Sequence, residues 1–462
     1  MSQAAAQQAD VDRLAIDGGP KAFTGRTRPF RPQIGVEEFL SLAERFGFAP
    51  DALERIRSAV GAADLPADGV FLGRFGSPDL DSTCGSRLEK LAREKFAVPF
   101  ARSVSSGTGA LHAAFVAAGV GPGREVICPA MGFAATAMAA MLAGGVPVFC
   151  DVDESLQMDP RKVEPLITPR TAAVAPTHHW GGVCDMAPIV EVARRRGLKV
   201  VEDCAQTPGG RYRGRYVGTW GDVGCFSVSC YKLIGGGEGG LVLCGDERTF
   251  DRVSQLVDGG GLFRPNRFAV ERYAGELFPG SNYRMSELEA AVDLVQLAKL
   301  DEVADRFRRV SRRIRSRIGA FPGVRQQKIN DADGWIGYQI ALLPTTAELG
   351  RTIAAALKAE GIGAHCRGEG YGHDWHFYHR MLPVVLRQGH VAGGSVFEDP
   401  RWLAAGGQCP PYERGTCPVA EDLWARGVYF WVDQWWTDAD CDAVAGGINK
   451  VLSAYCTDAA AR

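Results

Sequence analysis

The chain has 462 residues, a formal net charge of −2, 46% hydrophobic residues and 23% charged residues. That length allows a large domain and a smaller one, and the composition is that of an ordinary globular protein. The balanced charge argues against nucleic acid or an anionic membrane as partner, and no run approaches the ~18 consecutive apolar residues of a membrane span. Residues Met1–Asp12, rich in Ala and Gln, lack the basic start and apolar centre of a secretory signal, so 1–13 is expected to be a frayed tail. Thirteen cysteines form no C-x-x-C pair, and the apolar neighbours of Cys128, Cys150, Cys225 and Cys244 suit reduced thiols in a cytoplasmic protein. Cys204 reads as a small packing residue or a redox thiol.

Residues 13–35 look extended, with a turn at Gly18-Gly19, and helical patches follow at Val36–Phe46 and Pro50–Ala63. Gly69–Cys84 reads as loop and Ser86–Phe96 as helix. From Ala101 the pattern changes. Apolar runs at 101–104, 125–129, 146–151, 172–176, 199–203, 224–228 and 240–244 are interspersed with helical stretches at 109–118, 134–142 and 186–195. Short, almost wholly apolar runs interspersed with helices imply an α/β fold with parallel strands covered on both faces. Ligands bind beyond the carboxyl ends of such strands. Ser105–Thr108, Gly132–Phe133 and Asp203–Gln206 all fall there. Glu287–Ile318 reads as a long, broken helix. A strand is expected at 337–344 and helices at 345–360 and 437–455, while Gly368–Pro410 looks like a long loop or insertion. The domain division is therefore 14–300 for a large domain with an N-terminal arm, and 301–462 for a smaller one.

Several side chains at those ends carry chemistry. Ser105-Ser-Gly-Thr-Gly-Ala110 leaves a strand and opens a helix, so free N–H groups and the helix dipole there favour an anion. Asp203 ends a buried strand, where it either caps a helix or pairs with a cation. Phe133 either stacks on a flat ring or packs in the core. Lys232 follows Ser227 by five residues and precedes Gly235-Gly-Gly-Glu-Gly-Gly240. It is either a surface lysine on a loop or a desolvated amine with a lowered pKa. His178-His179-Trp180 and the set His373, His376 and His379 suit packing or substrate lining better than metal, because no carboxylate or cysteine cluster completes a ligand set. No metal is expected. A Schiff-base amine, hydroxyl and N–H donors for a phosphate, and an acid for a ring nitrogen are together the parts that hold pyridoxal phosphate.

These residues also resemble the DegT/StrS-type sugar aminotransferases, enzymes of the aspartate-aminotransferase-like fold type I. The matching text is Ser106-Gly-Thr-Gly-Ala-Leu111, Glu125-Val-Ile-Cys-Pro129, Pro147-Val-Phe-Cys-Asp151, Val201-Glu-Asp-Cys-Ala-Gln206, Gly221-Asp-Val-Gly-Cys-Phe-Ser227, Lys232 with Gly237-Glu-Gly-Gly240, and Ser281-Asn-Tyr-Arg-Met-Ser-Glu287. The resemblance implies a mostly parallel seven-stranded sheet flanked by helices, with a smaller α+β domain after it. It also implies Lys232 as the lysine that joins the cofactor and shuttles protons, Asp203 as partner of the ring nitrogen and Gln206 near the phenolic oxygen. Phe133 would be the stacking aromatic, and Gly107, Thr108 and Ser227 the phosphate contacts. Asn282, with Arg284 nearby, would reach the phosphate of a partner subunit, which implies a homodimer with shared sites.

The function implied is transfer of an amino group from glutamate or glutamine to a keto sugar or cyclitol ketone, in amino-sugar or aminocyclitol natural-product biosynthesis such as that of antibiotics. Some relatives carry histidine at the lysine position and dehydrate sugars; this chain keeps Lys232. The short opening Leu14-Ala-Ile-Asp-Gly-Gly-Pro20 is similar to members acting on cyclitols or free keto sugars. The alternatives are a same-fold dehydratase or aromatising synthase, and a non-catalytic regulator that binds the cofactor. The amino acceptor itself is left open, because pocket loops diverge freely on a fixed scaffold.

Overall fold

The computed structural model describes residues 13–25, 34–66, 70, 72–73, 80–261, 272–368 and 374–456. Nearly all of the expected tail, His373 and much of Gly69–Cys84 lie outside the described residues. The chain divides into two units, Met1–Gly73 and Arg74–Arg462. In the first, the expected extended segment instead makes a turn of 3-10 helix at Ala15–Asp17, which ends on Gly18 at φ 89°. That left-handed backbone costs a glycine nothing, and the turn dominates the local path. Helices Val36–Arg45 and Pro50–Ala59 follow, the second opened by a proline whose missing N–H would have had no helical partner.

The second unit is organised by a seven-stranded sheet. Its strands are β1 (Phe100–Val104), β2 (Glu125–Pro129), β3 (Val146–Cys150), β4 (Thr171–Val174), β5 (Lys199–Asp203), β6 (Val223–Ser227) and β7 (Gly240–Cys244). Their spatial order is β1-β7-β6-β5-β4-β2-β3. Only β7 runs antiparallel to its neighbours; β2 through β6 are mutually parallel. Every residue of β2, β4, β6 and β7 is buried, as a sheet covered on both faces demands. The covering helices are fitted to their place. Gly107–Ala117 is apolar all round, and its Ala110, Ala113 and Ala114 are fully buried, so small side chains let it lie close on the strands. Met186–Arg195 buries only Met186, Ile189, Val192 and Ala193, one stripe of an amphipathic helix.

The expected long helix is two, Glu287–Ala298 and Leu300–Arg317, broken at Lys299. Beyond it lies a four-stranded antiparallel sheet of β8 (Val324–Gln326), β9 (Gln339–Pro344), β10 (His365–Cys366) and β11 (Val428–Trp431), in the order β8-β9-β11-β10. Ala347–Ala359 and Asp438–Tyr455 pack on it around Ile340, Ile353, Leu357, Phe430 and Ile448. Of these strands only β9 stands out in the sequence. Runs of two to four residues carry too little periodicity to read, and pairing with their neighbours in the sheet is what orders them.

The segment expected to be a long loop is well packed where it is described. Phe377, Tyr378 and Trp402 are almost wholly buried, and the Phe377 ring stacks on Trp424 at 4.7 Å. The Arg170 guanidinium lies 5.2 Å from the centre of the Trp402 ring. A side chain of that size at 0% exposure belongs to the core whatever its backbone does. Trp402→Ala is accordingly expected to cost about 3–5 kcal/mol of unfolding free energy, measured by chemical denaturation at fixed cofactor concentration. A surface-loop residue would change it by less than ~0.5 kcal/mol.

Candidate active site

The carboxyl ends of β1, β5 and β6 open on one cavity of about 700 Å³. Gly107, Thr108, Phe133, Asp203, Gln206, Ser227 and Lys232 all line it. Seven of the nine site residues expected from the sequence thus meet in one place. Asn282 and Arg284 do not line this cavity. Asn282 is exposed, with its side-chain oxygen accepting a 3.3 Å bond from the Arg284 N–H, and the Arg284 guanidinium pairs with buried Asp258 at 2.7 Å.

Asp203 closes the floor. It is 2% exposed, and the alternation of the strand sends it to the opposite face from Glu202. One carboxylate oxygen accepts the Thr136 hydroxyl at 2.6 Å and the other accepts the Ala205 N–H at 3.0 Å. Two donors hold the carboxylate in position and leave it acceptor capacity towards the cavity. Glu202 is spent differently. It accepts the N–H groups of Gly218 and Gly221 at 2.8 and 2.6 Å and lies 3.2 Å from the His178 ring. His178 accepts the Cys184 N–H through its other nitrogen, so both its ring nitrogens are engaged in structure.

The rim opposite the floor is built for an anion. Ser106 caps the helix that begins at Gly107, its hydroxyl oxygen accepting the Gly109 N–H at 3.0 Å. The N–H groups of Gly107 and Thr108, at the first helical positions, have no intrahelical acceptor. Ser227, at the end of β6, brings its hydroxyl beside them. A Cβ on Gly107 would stand 2.7 Å from the Ser227 Cβ, so glycine is what allows helix and strand to meet.

Lys232 rides on a loop closed at its base. The Val228 N–H bonds the Gly239 carbonyl at 3.0 Å, the Cys230 N–H bonds that of Gly237 at 2.9 Å, and the Lys232 N–H bonds that of Ser229 at 2.9 Å. Gly239 is needed here: its φ is 149°, and a Cβ would lie 2.8 Å from both Met285 and Val228. Under the loop, burial and then the neighbouring Glu289 charge push the Asp293 carboxyl up to about 8, so it sits there as a neutral acid near pH 7. The Lys232 amine makes no hydrogen bond or ion pair among the described residues. Burial lowers its pKa from the usual lysine value, and the Asp203 charge pulls the other way.

The walls are aromatic. Phe133, Trp180, Phe307, Tyr338 and Trp431 line them, and the Tyr338 and Trp431 rings stack at 5.4 Å and 8°. Gln206 accepts the Trp180 N–H at 3.0 Å and holds that residue at φ 51°, an unusual left-handed backbone for a bulky side chain. His376 also lines the cavity, with its ring 5.3 Å from that of Phe133. Thr136, Tyr338 and Trp431 escape sequence reasoning as site residues, whereas His376 is one of the histidines expected to pack or line a substrate site. Thr136 sits unmarked in an alanine-rich helix, and the others come from segments far along the chain that only the tertiary fold brings back.

Pyridoxal phosphate fits this donor set. The N–H groups of Gly107 and Thr108 and the Ser227 hydroxyl would hold its phosphate, Phe133 would flank its ring, and Asp203 would meet the ring N–H. Lys232 is the only lysine lining the cavity among the described residues. Because burial favours its neutral form, cofactor capture by apoprotein is expected to rise with pH with a midpoint below that of an exposed lysine. Asp203→Asn, which removes the charge opposing that shift, should move the midpoint lower still. Stopped-flow absorbance after mixing with the cofactor gives both midpoints; an upward move on Asp203→Asn would contradict the electrostatics described.

Comparison with known proteins agrees with the geometry. Residues 83–368 match the DegT/DnrJ/EryC1/StrS aminotransferase family. The GDP-perosamine synthase of Caulobacter vibrioides is 43% identical over 218 residues, 46% of this chain and 56% of that protein, so the match spans little more than half its length. The L-glutamine:2-deoxy-scyllo-inosose aminotransferase of Micromonospora echinospora is 39% identical over 284 residues, 60% of this chain and 66% of that one. Among solved structures, DesV of S. venezuelae matches with a TM-score of 0.63 and 27% identity over 80% of this chain and 89% of that chain. The α/β fold is thus that of the pyridoxal-phosphate-dependent transferases, and the chain belongs to the DegT/DnrJ/EryC1/StrS aminotransferase family, whose members work with that cofactor.

Proposed function

We propose that the protein is an aminotransferase that moves an amino group from glutamate or glutamine to a keto sugar or cyclitol ketone, by two half-reactions in one cavity. The observation that carries this reading is the pairing of a desolvated, unpartnered Lys232 amine with a buried Asp203 carboxylate in one cavity. The named relatives, one a perosamine synthase and one a glutamine-dependent aminotransferase of a cyclitol ketone, support the substrate class. When bound, pyridoxal phosphate supplies the aldehyde that takes up the amino group and the ring that disperses the charge left on the donor's α-carbon.

The chain's own residues do the rest. Asp203, held by Thr136 and Ala205, would keep a proton on the ring nitrogen, because an adjacent carboxylate favours the protonated form. The Lys232 nitrogen, whose proton burial makes easier to lose, accepts the proton from the donor's α-carbon. In the return half-reaction it delivers one to the carbon that was the acceptor's carbonyl. Gly107, Thr108 and Ser227 would hold the phosphate, and Phe133 would flank the ring, so that the cofactor is positioned within reach of Lys232.

Asn282 and Arg284 belong to this reading as residues offered to a partner subunit's phosphate in a homodimer. Their position outside the chain's own cavity is compatible with that role. Among the described residues no helix is long and apolar enough to cross a membrane, and the thirteen cysteines, none in a disulfide, suit the cytosol.

Lys232→Ala should abolish turnover and the visible absorbance of the bound cofactor together, while wild type converts glutamine or glutamate to its keto acid in step with amine appearing on the ketone. Full activity in the variant, or keto acid with no aminated product, would overturn the proposal.

A further inference from the structure

The segment 374–378 does more than fill space. It lies along 130–134 as an added strand: the Gly132 N–H bonds the His376 carbonyl at 3.0 Å, the Ala134 N–H that of Trp375 at 2.8 Å, and the Tyr378 N–H the carbonyl of Ala130 at 3.0 Å. The backbone of His376 is therefore locked to the loop that carries Phe133. Its side chain is locked too. The His376 Nδ1 and backbone N–H both lie 2.9 Å from one Asp374 oxygen, and the other oxygen accepts the Arg367 guanidinium at 2.5 Å. That guanidinium lies 4.4 Å from the centre of the Trp180 ring and donates to the His365 ring at 3.0 Å. Asp374 and Arg367 are 6% and 7% exposed, so the network behind His376 is a built one.

Its charges fix what His376 presents to the cavity. Burial pushes the Asp374 carboxyl up, but the hydrogen bonds from His376 and the Arg367 charge outweigh it and hold it down at about 2. An ionised carboxylate can only accept, so the neutral imidazole carries its proton on Nδ1. In that neutral ring Nε2 is the acceptor, on a wall between Phe133 and Trp180, the two rings 5.3 and 6.0 Å away. An acceptor nitrogen suits a partner that brings an O–H. The side-chain carboxylate of glutamate has no proton to offer it, whereas the hydroxyls of a polyhydroxylated ring do, as does the side-chain amide of glutamine.

The geometry points to His376, presented by Asp374, as the residue that recognises a ring hydroxyl of the amino acceptor. This role rests on the keto-sugar or cyclitol function proposed above. Asp374 is then a positioning residue, acting through the tautomer and orientation of His376. With glutamate as donor, the arrangement favours the acceptor half-reaction over the donor half-reaction within a cavity both must share.

The test uses full-length, cofactor-loaded protein and follows each half-reaction by stopped-flow absorbance, with L-glutamine and L-glutamate as donors. On the acceptor side the probes are 2-deoxy-scyllo-inosose and a GDP-linked 4-keto sugar. With glutamate as donor, His376→Ala should shift the ratio of the two half-reactions about tenfold against the acceptor, the scale of one lost neutral hydrogen bond. The loss should appear in KM more than in kcat, and His376→Gln, which keeps an acceptor atom, should restore part of it. Asp374→Asn should raise the acceptor KM likewise, and the double variant should add nothing further. A ratio unchanged in His376→Ala, or additive losses in the double variant, would overturn the role of His376 and leave the proposed function standing. If neither ketone discharges the aminated wild type, the proposed acceptor class falls, and the role of His376 falls with it.

Discussion

A carboxylate that is 2% exposed cannot sit unpaired at the end of an apolar strand without a large desolvation cost. Asp203 meets that constraint by two protein hydrogen bonds and by facing a cavity in which a cationic ring can lie. Much of the surrounding architecture follows from keeping it there. Thr136 must be in the first turns of its helix to reach it, and β5 must end where it does. The parallel sheet must also be covered on both faces so that the floor stays dry. The adjacent Glu202 shows the contrast: strand alternation sends it to the other face, where two backbone N–H groups and the His178 ring satisfy it. Two neighbouring acids of the same strand thus divide into one that holds the fold and one that keeps capacity for a ligand.

The cavity is graded from that floor outwards. Burial eases loss of the Lys232 proton and the Asp203 charge opposes that loss, in a low-dielectric pocket where the opposition is stronger than it would be in water. Anion donors stand at one rim, at a helix start and a strand end brought into contact by Gly107. Aromatic rings form the walls, and they come from both the large sheet's loops and the smaller sheet. The site is therefore assembled from both sheets, which the lysine loop alone would not have suggested.

How much of this is legible in the sequence depends on the range of the interaction. β2 and β5 and the helix 186–195 appear at their observed bounds because buried parallel strands and amphipathic helices carry their signal locally. Lys232, Asp203, Gln206, Ser227, Gly107, Thr108 and Phe133 are legible because each lies at a strand end or glycine turn of fixed spacing. Val428–Trp431 and His365–Cys366 are not, since strands so short are ordered only by the partners they meet. The segment after Gly368 misleads for a related reason. Its Gly, Pro and His content reads as loop, while Phe377, Tyr378 and Trp402 are buried by contacts that no local pattern announces. His376 reaches the cavity only because 374–378 pairs with a loop more than two hundred residues earlier.

The central claim is that one amine, Lys232, is covalently joined to the cofactor over the Asp203 floor. Borohydride reduction of the loaded protein, followed by proteolysis and peptide mass mapping, tests it most directly. A phosphopyridoxyl group on the peptide carrying Lys232, and on no other lysine, is the predicted result. Modification of a different lysine, or none at all, would contradict the account.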